Sequence, residues 1–100
     1  MPLQIEFEPA KDARNLRTRG ITLAESATLL DGFILQWEDK RRDYGEIRMI
    51  AIGEIGTRQF VCVYTHRGET YRVISLRPAK RRERNVYQEA KAAATRDQKE

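Results

Sequence analysis

One hundred residues, 34% of them charged and 40% hydrophobic, with a net charge of +4 and a pI of about 9.5, describe one soluble domain and favour an acidic partner such as nucleic acid. The single cysteine, Cys62, excludes an internal disulfide framework, and with the single histidine, His66, it cannot build a zinc site; no run approaches the ~18 apolar residues of a membrane span. A chain of this size is expected to bury one modest core, and because Met1-Pro2-Leu3-Gln4 has neither a basic nor an apolar leader region, the expected compartment is the reducing cytoplasm.

The alternation Leu3-Gln-Ile-Glu-Phe7 predicts a short strand. Pro9 can open a helix, since the first turn tolerates a missing N–H, and Gly20 ends it; Ala10, Ala13 and Leu16 share the side expected to pack. Thr22-Leu-Ala-Glu25 has the spacing of a capping box for a second helix with Leu23, Ala27 and Leu30 on one face and Asp31-Gly32 as its stop. Phe33–Trp37 predicts a strand, followed by the charged loop Glu38–Gly45. Three further strands are expected at 47–52, 59–65 and 70–76, joined by turns at Gly53/Gly56 and at Arg67-Gly68-Glu69. Such short connections favour antiparallel hairpins. Trp37, Phe60 and Cys62 are expected in the core.

Pro78 is expected to open the last helix, with Ala79, Val86, Ala90, Ala93 and Ala94 on one side and Tyr87 at its edge; helical spacing adds Glu83 to that side. Residues 96–100 read as a frayed tail. The whole predicts one α+β domain, residues 1–100, with two N-terminal helices, an antiparallel β-sheet and a C-terminal helix. Positive charge is concentrated at the last strand–helix junction. Residues 72–84 carry six basic side chains against the single acid Glu83, more net positive charge than the entire chain holds. A polyanion partner needs such a patch, although a solvated helix face has the same composition.

Several pieces in order carry a resemblance: Phe7, Lys11 and Asn15; Gly20-Ile21; Gly45-Glu46-x-Arg48; Ile52-Gly53; Val63-Tyr64-Thr65-x-Arg67-Gly68; and Arg72-Val-Ile-Ser75-x-Arg77-x-Ala79-x-x-x-Glu83-Arg84-x-x-Tyr87. In this arrangement the chain resembles the BrnT family, cytoplasmic ribonuclease toxins of type II toxin–antitoxin pairs. The resemblance implies a RelE-like fold and a cognate BrnA-like ribbon-helix-helix antitoxin that neutralises the toxin. It also implies promoter DNA bound only through the antitoxin complex. It departs from the family at Thr18-Arg19, where relatives typically have Lys-His.

RNA cleavage through its own 2′-hydroxyl needs a base, donors for the charge that builds on the phosphate, and an acid for the leaving oxygen; it requires no cofactor or metal. The planar arginine fork suits the phosphate. Within the motifs of the resemblance, Arg77 and Arg48 are the candidate phosphate holders. Glu83 is the candidate acid–base, or else the anchor of Arg48 or Arg72 in a salt bridge. Tyr87 is a candidate donor, stacking residue or packing residue. His66 has a suitable pKa range but occupies a position the motif leaves open. Lys11, Arg14, Arg67, Arg72, Lys80 and Arg81 are candidate RNA phosphate contacts. The alternative is a non-catalytic RNA- or DNA-binding module, or an antitoxin-docking module, of the same fold.

Overall fold

The computed structural model describes residues 3–97. The chain forms β1 (Ile5–Glu6), α1 (Pro9–Arg19), a 3-10 turn (Leu23–Glu25), α2 (Ser26–Asp31), β2 (Leu35–Glu38), β3 (Met49–Ile55), β4 (Arg58–Arg67), β5 (Thr70–Pro78) and α3 (Arg81–Asp97). Arg96 and Asp97, expected to fray, are helical; the rest of that tail, 98–100, and Met1-Pro2 lie outside the described residues. No helix among the described residues is long and apolar enough to cross a membrane.

The α+β class and the element order match the expectation. The sheet has the order β1-β5-β4-β3-β2. The four later strands pair antiparallel, β3 with β4 and β4 with β5 through tight turns and β2 with β3 across the loop of residues 39–48. At the other edge the expectation of a wholly antiparallel sheet fails. β1 runs parallel to β5, Ile5 beside Tyr71 and Glu6 beside Arg72, because residues 7–69, with two helices and three strands, intervene as the crossover.

Helices cover both faces, so one core becomes two. On the α1–α2 side Leu23, Leu29, Leu30, Ala51, Phe60, Cys62, Tyr64, Val73 and Leu76 are buried together. On the α3 side a smaller cluster joins Ile52, Val61, Ala79 and Tyr87. Strand alternation sends neighbours such as Ala51 and Ile52 to opposite faces.

Helix α1 turns its other side inward. Ala10, Ala13 and Leu16 face solvent, Leu16 being 51% exposed, while Asn15 is buried. Polar partners decide the orientation: Asn15 Nδ2 donates to the Ile21 carbonyl (2.8 Å), and the Leu23 N–H donates to Asp12 Oδ1 (2.6 Å). Burying alanines gains less than satisfying these backbone groups. The capping box at Thr22 therefore does not form. Neither side chain caps; the segment opens as a 3-10 turn, the Glu25 N–H donating to the Thr22 carbonyl at 3.2 Å. Gly20 does end α1, in the left-handed region at φ 73°.

Three further boundaries differ from expectation. Gly53 lies within β3 rather than in a turn, because the backbone there runs directly beneath Leu29. Pro78 ends β5 opposite Phe60 instead of starting the helix, an edge position where a missing N–H is tolerated. On α3 the buried residue is Tyr87, 1% exposed, not at the edge, and Val86 is 47% exposed. Trp37, expected in the core, is 43% exposed on the outer strand β2; Phe60 and Cys62 are buried.

Candidate functional site

The basic junction builds a defined corner. Alternation along β5 puts Arg77, opposite Val61, on the α3 side of the sheet. There its Nη1 and Nη2 donate to Glu83 Oε1 and Oε2, both at 2.8 Å. Glu83 is in the first turn of α3, and its Oε1 also accepts the Lys80 N–H at 2.7 Å, the backward reach of a capping-box glutamate. The hydrogen bonds from Arg77 are the main reason the Glu83 carboxyl is held down at about 2, against the opposing effect of burial; the same contact raises Arg77. Glu83 thus anchors Arg77 rather than Arg48 or Arg72. The corner is open, with the Arg77 side chain 33% exposed.

Arg72 and Arg48 lie further along the same face. Arg72 pairs with Thr65 on β4, four residues from the Val61 partner of Arg77, which is about 13 Å of strand. Thr65 Oγ1 donates to the Ile47 carbonyl (2.7 Å), tying β4 to the chain just before Arg48. Each of the three arginines stands beside its own carboxylate, and they line the face rather than closing on one point. The partnerships differ in strength. Arg72 with Glu6 and Arg48 with Glu46 are both at 3.5 Å, and neither pair is hydrogen-bonded. Arg48 Nε is buried with no hydrogen-bond partner.

The charged loop, unassigned by sequence reasoning, is the scaffold for Arg48. Asp39 is 4% exposed. It accepts hydrogen bonds from Arg41 Nε and Nη2 (2.8 Å each) and from the Tyr44 hydroxyl (3.0 Å). The Arg41 hydrogen bonds drive Asp39 well below the usual carboxylate range. The Asp39 N–H in turn donates to the Arg48 carbonyl at 2.7 Å. Tyr44, fixed by Asp39, carries the Arg48 guanidinium 4.1 Å from its ring centre. Arg41 is close enough to Arg77 for the two charges to oppose each other. The only sequence signal was an acid opening a run of arginines that ends in a tyrosine.

The remaining candidates are dispersed. Lys11 and Arg14 line a cleft of about 220 Å³ between α1 and β5, together with Thr18, Arg19 and Ser75. At the two positions expected to depart from the family, Thr18 Oγ1 donates to the Arg14 carbonyl (2.8 Å) and Arg19 Nη1 to the Leu76 carbonyl (3.2 Å). Arg67 is exposed at the end of β4, and Lys80 and Arg81 are exposed where α3 begins. Tyr87 points inward; its hydroxyl donates to the Phe33 carbonyl at 2.9 Å and stands 3.4 Å from Glu54 Oε1, and burial pushes it up to about 12. Glu54 is held by Lys91. His66 is exposed on β4 against Tyr71. No three His, Cys, Asp or Glu side chains among the described residues gather as metal ligands.

Comparison with known families gives one match. Residues 7–83 fit the model of a family described as the ribonuclease toxin BrnT of type II toxin–antitoxin systems. The match begins at Phe7 and ends at Glu83, so it includes Arg48, Arg77 and their surroundings, while Tyr87 lies beyond it. No curated protein matches the chain.

Proposed function

The chain belongs to the BrnT family of ribonuclease toxins, and from that premise we propose how its own residues cleave RNA. As a member of that family it has RNA as its substrate and a cognate antitoxin as its partner. The observation that carries the reading is the open Arg77–Glu83 corner within the matched segment.

Arg77 holds the scissile phosphate. Its fork is already presented in the geometry that a two-oxygen anion needs, because Glu83 occupies that place in the free protein. As the phosphate enters, it takes over part of the fork. Glu83 then loses a donor and faces a second anion, and both changes raise its proton affinity. In that state the carboxylate takes the 2′ proton, which its depressed value in the free protein would not favour, as the 2′ oxygen bonds to phosphorus; the bond to the 5′ oxygen breaks, and that oxygen leaves with a proton from the water that reaches the open corner. Arg48 supplies further charge, since its loose partner Glu46 can be exchanged for phosphate. Arg72 does the same beside Glu6. Lys11, Arg14, Arg67, Lys80 and Arg81 hold flanking phosphates and add salt dependence rather than sequence choice. Tyr87 serves by fixing α3, and through it Glu83. The reaction uses no metal or cofactor.

The same reading takes the fold as RelE-like and the chain as one domain acting in the cytoplasm. Its antitoxin is a BrnA-like ribbon-helix-helix protein, and promoter DNA is engaged only through the complex with it. Support comes from the family match and from the strand–helix corner.

Inducing the chain alone in a bacterium tests the mechanism. Wild type arrests growth with loss of RNA, and cleavage by the purified protein persists in EDTA. Arg77→Ala, with unchanged melting and antitoxin binding, does neither; toxicity retained by Arg77→Ala would remove this residue from the site.

A further inference from the structure

At the end of the sheet where β2, β3 and β4 meet, a cleft of about 480 Å³ opens on the α1–α2 side, the side of Met49 and Tyr64 and not that of Arg77, and reaches the phosphate-binding face around the sheet end at Glu46 beside Arg48. Its floor is apolar, built from Met49, Tyr64 and Ile47, the last 64% exposed. One wall is His66. Its ring centre lies 4.5 Å from Tyr71 and 5.5 Å from Tyr64, and the two tyrosines are 5.1 Å apart. The three rings brace one another, so the exposed imidazole is held as a flat platform at little further entropic cost.

Polar groups of two kinds stand at the rim. The Gln36 side-chain oxygen accepts the Tyr64 hydroxyl at 2.6 Å, which leaves the Gln36 amide N–H groups as donors. Glu46 offers only acceptors and lies 3.5 Å from Arg48, so it belongs to both the cleft and the cationic face. Arg67 follows His66 directly. An apolar slot with one aromatic wall, a donor and an acceptor at its mouth, and arginines on either side has the chemistry to take a flat heterocycle attached to a phosphate backbone.

We propose that this cleft binds a nucleobase of the RNA chain, stacked on His66 and read at its edge by Gln36 and Glu46, and that it sets the base preferred at a position a few nucleotides from the cut, where the strand rounds the sheet end from the Arg77 corner. The proposal rests on the RNA-cleaving reading and adds a specificity site to it. An apolar side chain of a protein partner would use Ile47 and Met49 but would leave the paired donor and acceptor without a role.

The test maps cut sites on a pool of randomised short RNAs with the purified wild-type, His66→Ala and His66→Phe proteins, after melting curves confirm equal folding. Loss of stacking raises KM about tenfold and flattens the base preference at one position in His66→Ala. His66→Phe, which keeps a flat ring, restores KM. A base preference and KM unchanged in His66→Ala would overturn the proposal, and weakened antitoxin binding alongside would give the cleft to the protein partner. If the wild-type chain cuts no RNA, the enzymatic reading is what fails. Titration with the four ribonucleoside monophosphates then decides the cleft separately: saturable shifts of the His66 and Tyr64 ring signals by NMR support it, and their absence overturns it.

Discussion

Arg77 and Glu83 share two parallel hydrogen bonds of 2.8 Å across the strand–helix corner. A lysine cannot reproduce that fork, and a glutamine keeps an acceptor but cannot take a proton. Arg77→Lys is therefore expected to lower kcat by about 10²–10³, the cost of one preorganised donor. Glu83→Gln is expected to fall comparably while still binding RNA. Single-turnover cleavage of a short RNA, with binding measured in parallel, checks both; a Glu83→Gln enzyme at wild-type rate would reduce Glu83 to an anchor.

The same pair shapes the acid limb of stability. Glu83 titrates at about 2 in the folded chain against an ordinary 4.5, so between these values the unfolded chain binds more protons and folding weakens as pH falls. Its contribution is complete above about pH 4.5 and lost by about pH 2. Melting temperatures of wild type and Glu83→Gln should differ most near neutrality and converge toward pH 2. Glu54, lowered chiefly by Lys91, leaves a residual slope in the variant. A gap that persists at pH 2 would assign the stabilisation to something other than ionisation of Glu83.

Loop 39–45 makes Arg48 depend on Asp39 through Tyr44. Asp39→Asn places an N–H group against the Arg41 or Tyr44 donors and frees the ring under Arg48. The expected result is a fall in kcat of about tenfold per folded molecule, with melting lowered as well because the buried side chain loses charge-assisted hydrogen bonds. In a double-mutant cycle with Arg48→Ala the two losses should not add. Full additivity would uncouple the loop from the site.

Tyr87→Phe separates packing from chemistry. The variant strips the Phe33 carbonyl of its donor, which costs ~1 kcal/mol, or ~4–8 °C in a domain of this size. With melting lowered and kcat per folded molecule within about threefold of wild type, the hydroxyl is structural. A hundredfold fall in kcat would return it to the reaction.

Gly53→Ala probes the close approach of α2 to the sheet. A Cβ there would stand 2.8 Å from Leu29 Cγ and 3.1 Å from Ile34 Cγ2, and Leu29 is fully buried. Overpacking of this kind costs ~1–3 kcal/mol, readable as a lower urea midpoint at constant slope.

These residues also mark what the sequence could convey. The strands were legible because their turns and alternation are local, and so was the gathering of positive charge at the last strand–helix junction; the partner of Glu83 was not, since Arg48 or Arg72 was expected where Arg77 stands. The face of α1 was not. Its Ala10, Ala13 and Leu16 stripe is a weak apolar signal, and the inward contacts of Asp12 and Asn15 are to a turn beyond Gly20 that periodicity does not weigh. Gly53 and Pro78 read as punctuation because their neighbours, Leu29 and the edge of β5, come from tertiary structure. The loop scaffold was hidden for the same reason: charge runs do not reveal which member is buried, and here it is Asp39.

Among the described residues, β1 pairs with only Tyr71 and Arg72, so the outer side of β5 beyond them has no strand beside it. A bare margin of that kind invites a foreign chain to zip on. Arg19 lies across it and binds the Leu76 oxygen. A cation laid over an open margin is the kind of charge by which sheet edges discourage pairing with a second molecule, and Arg19 has that position here.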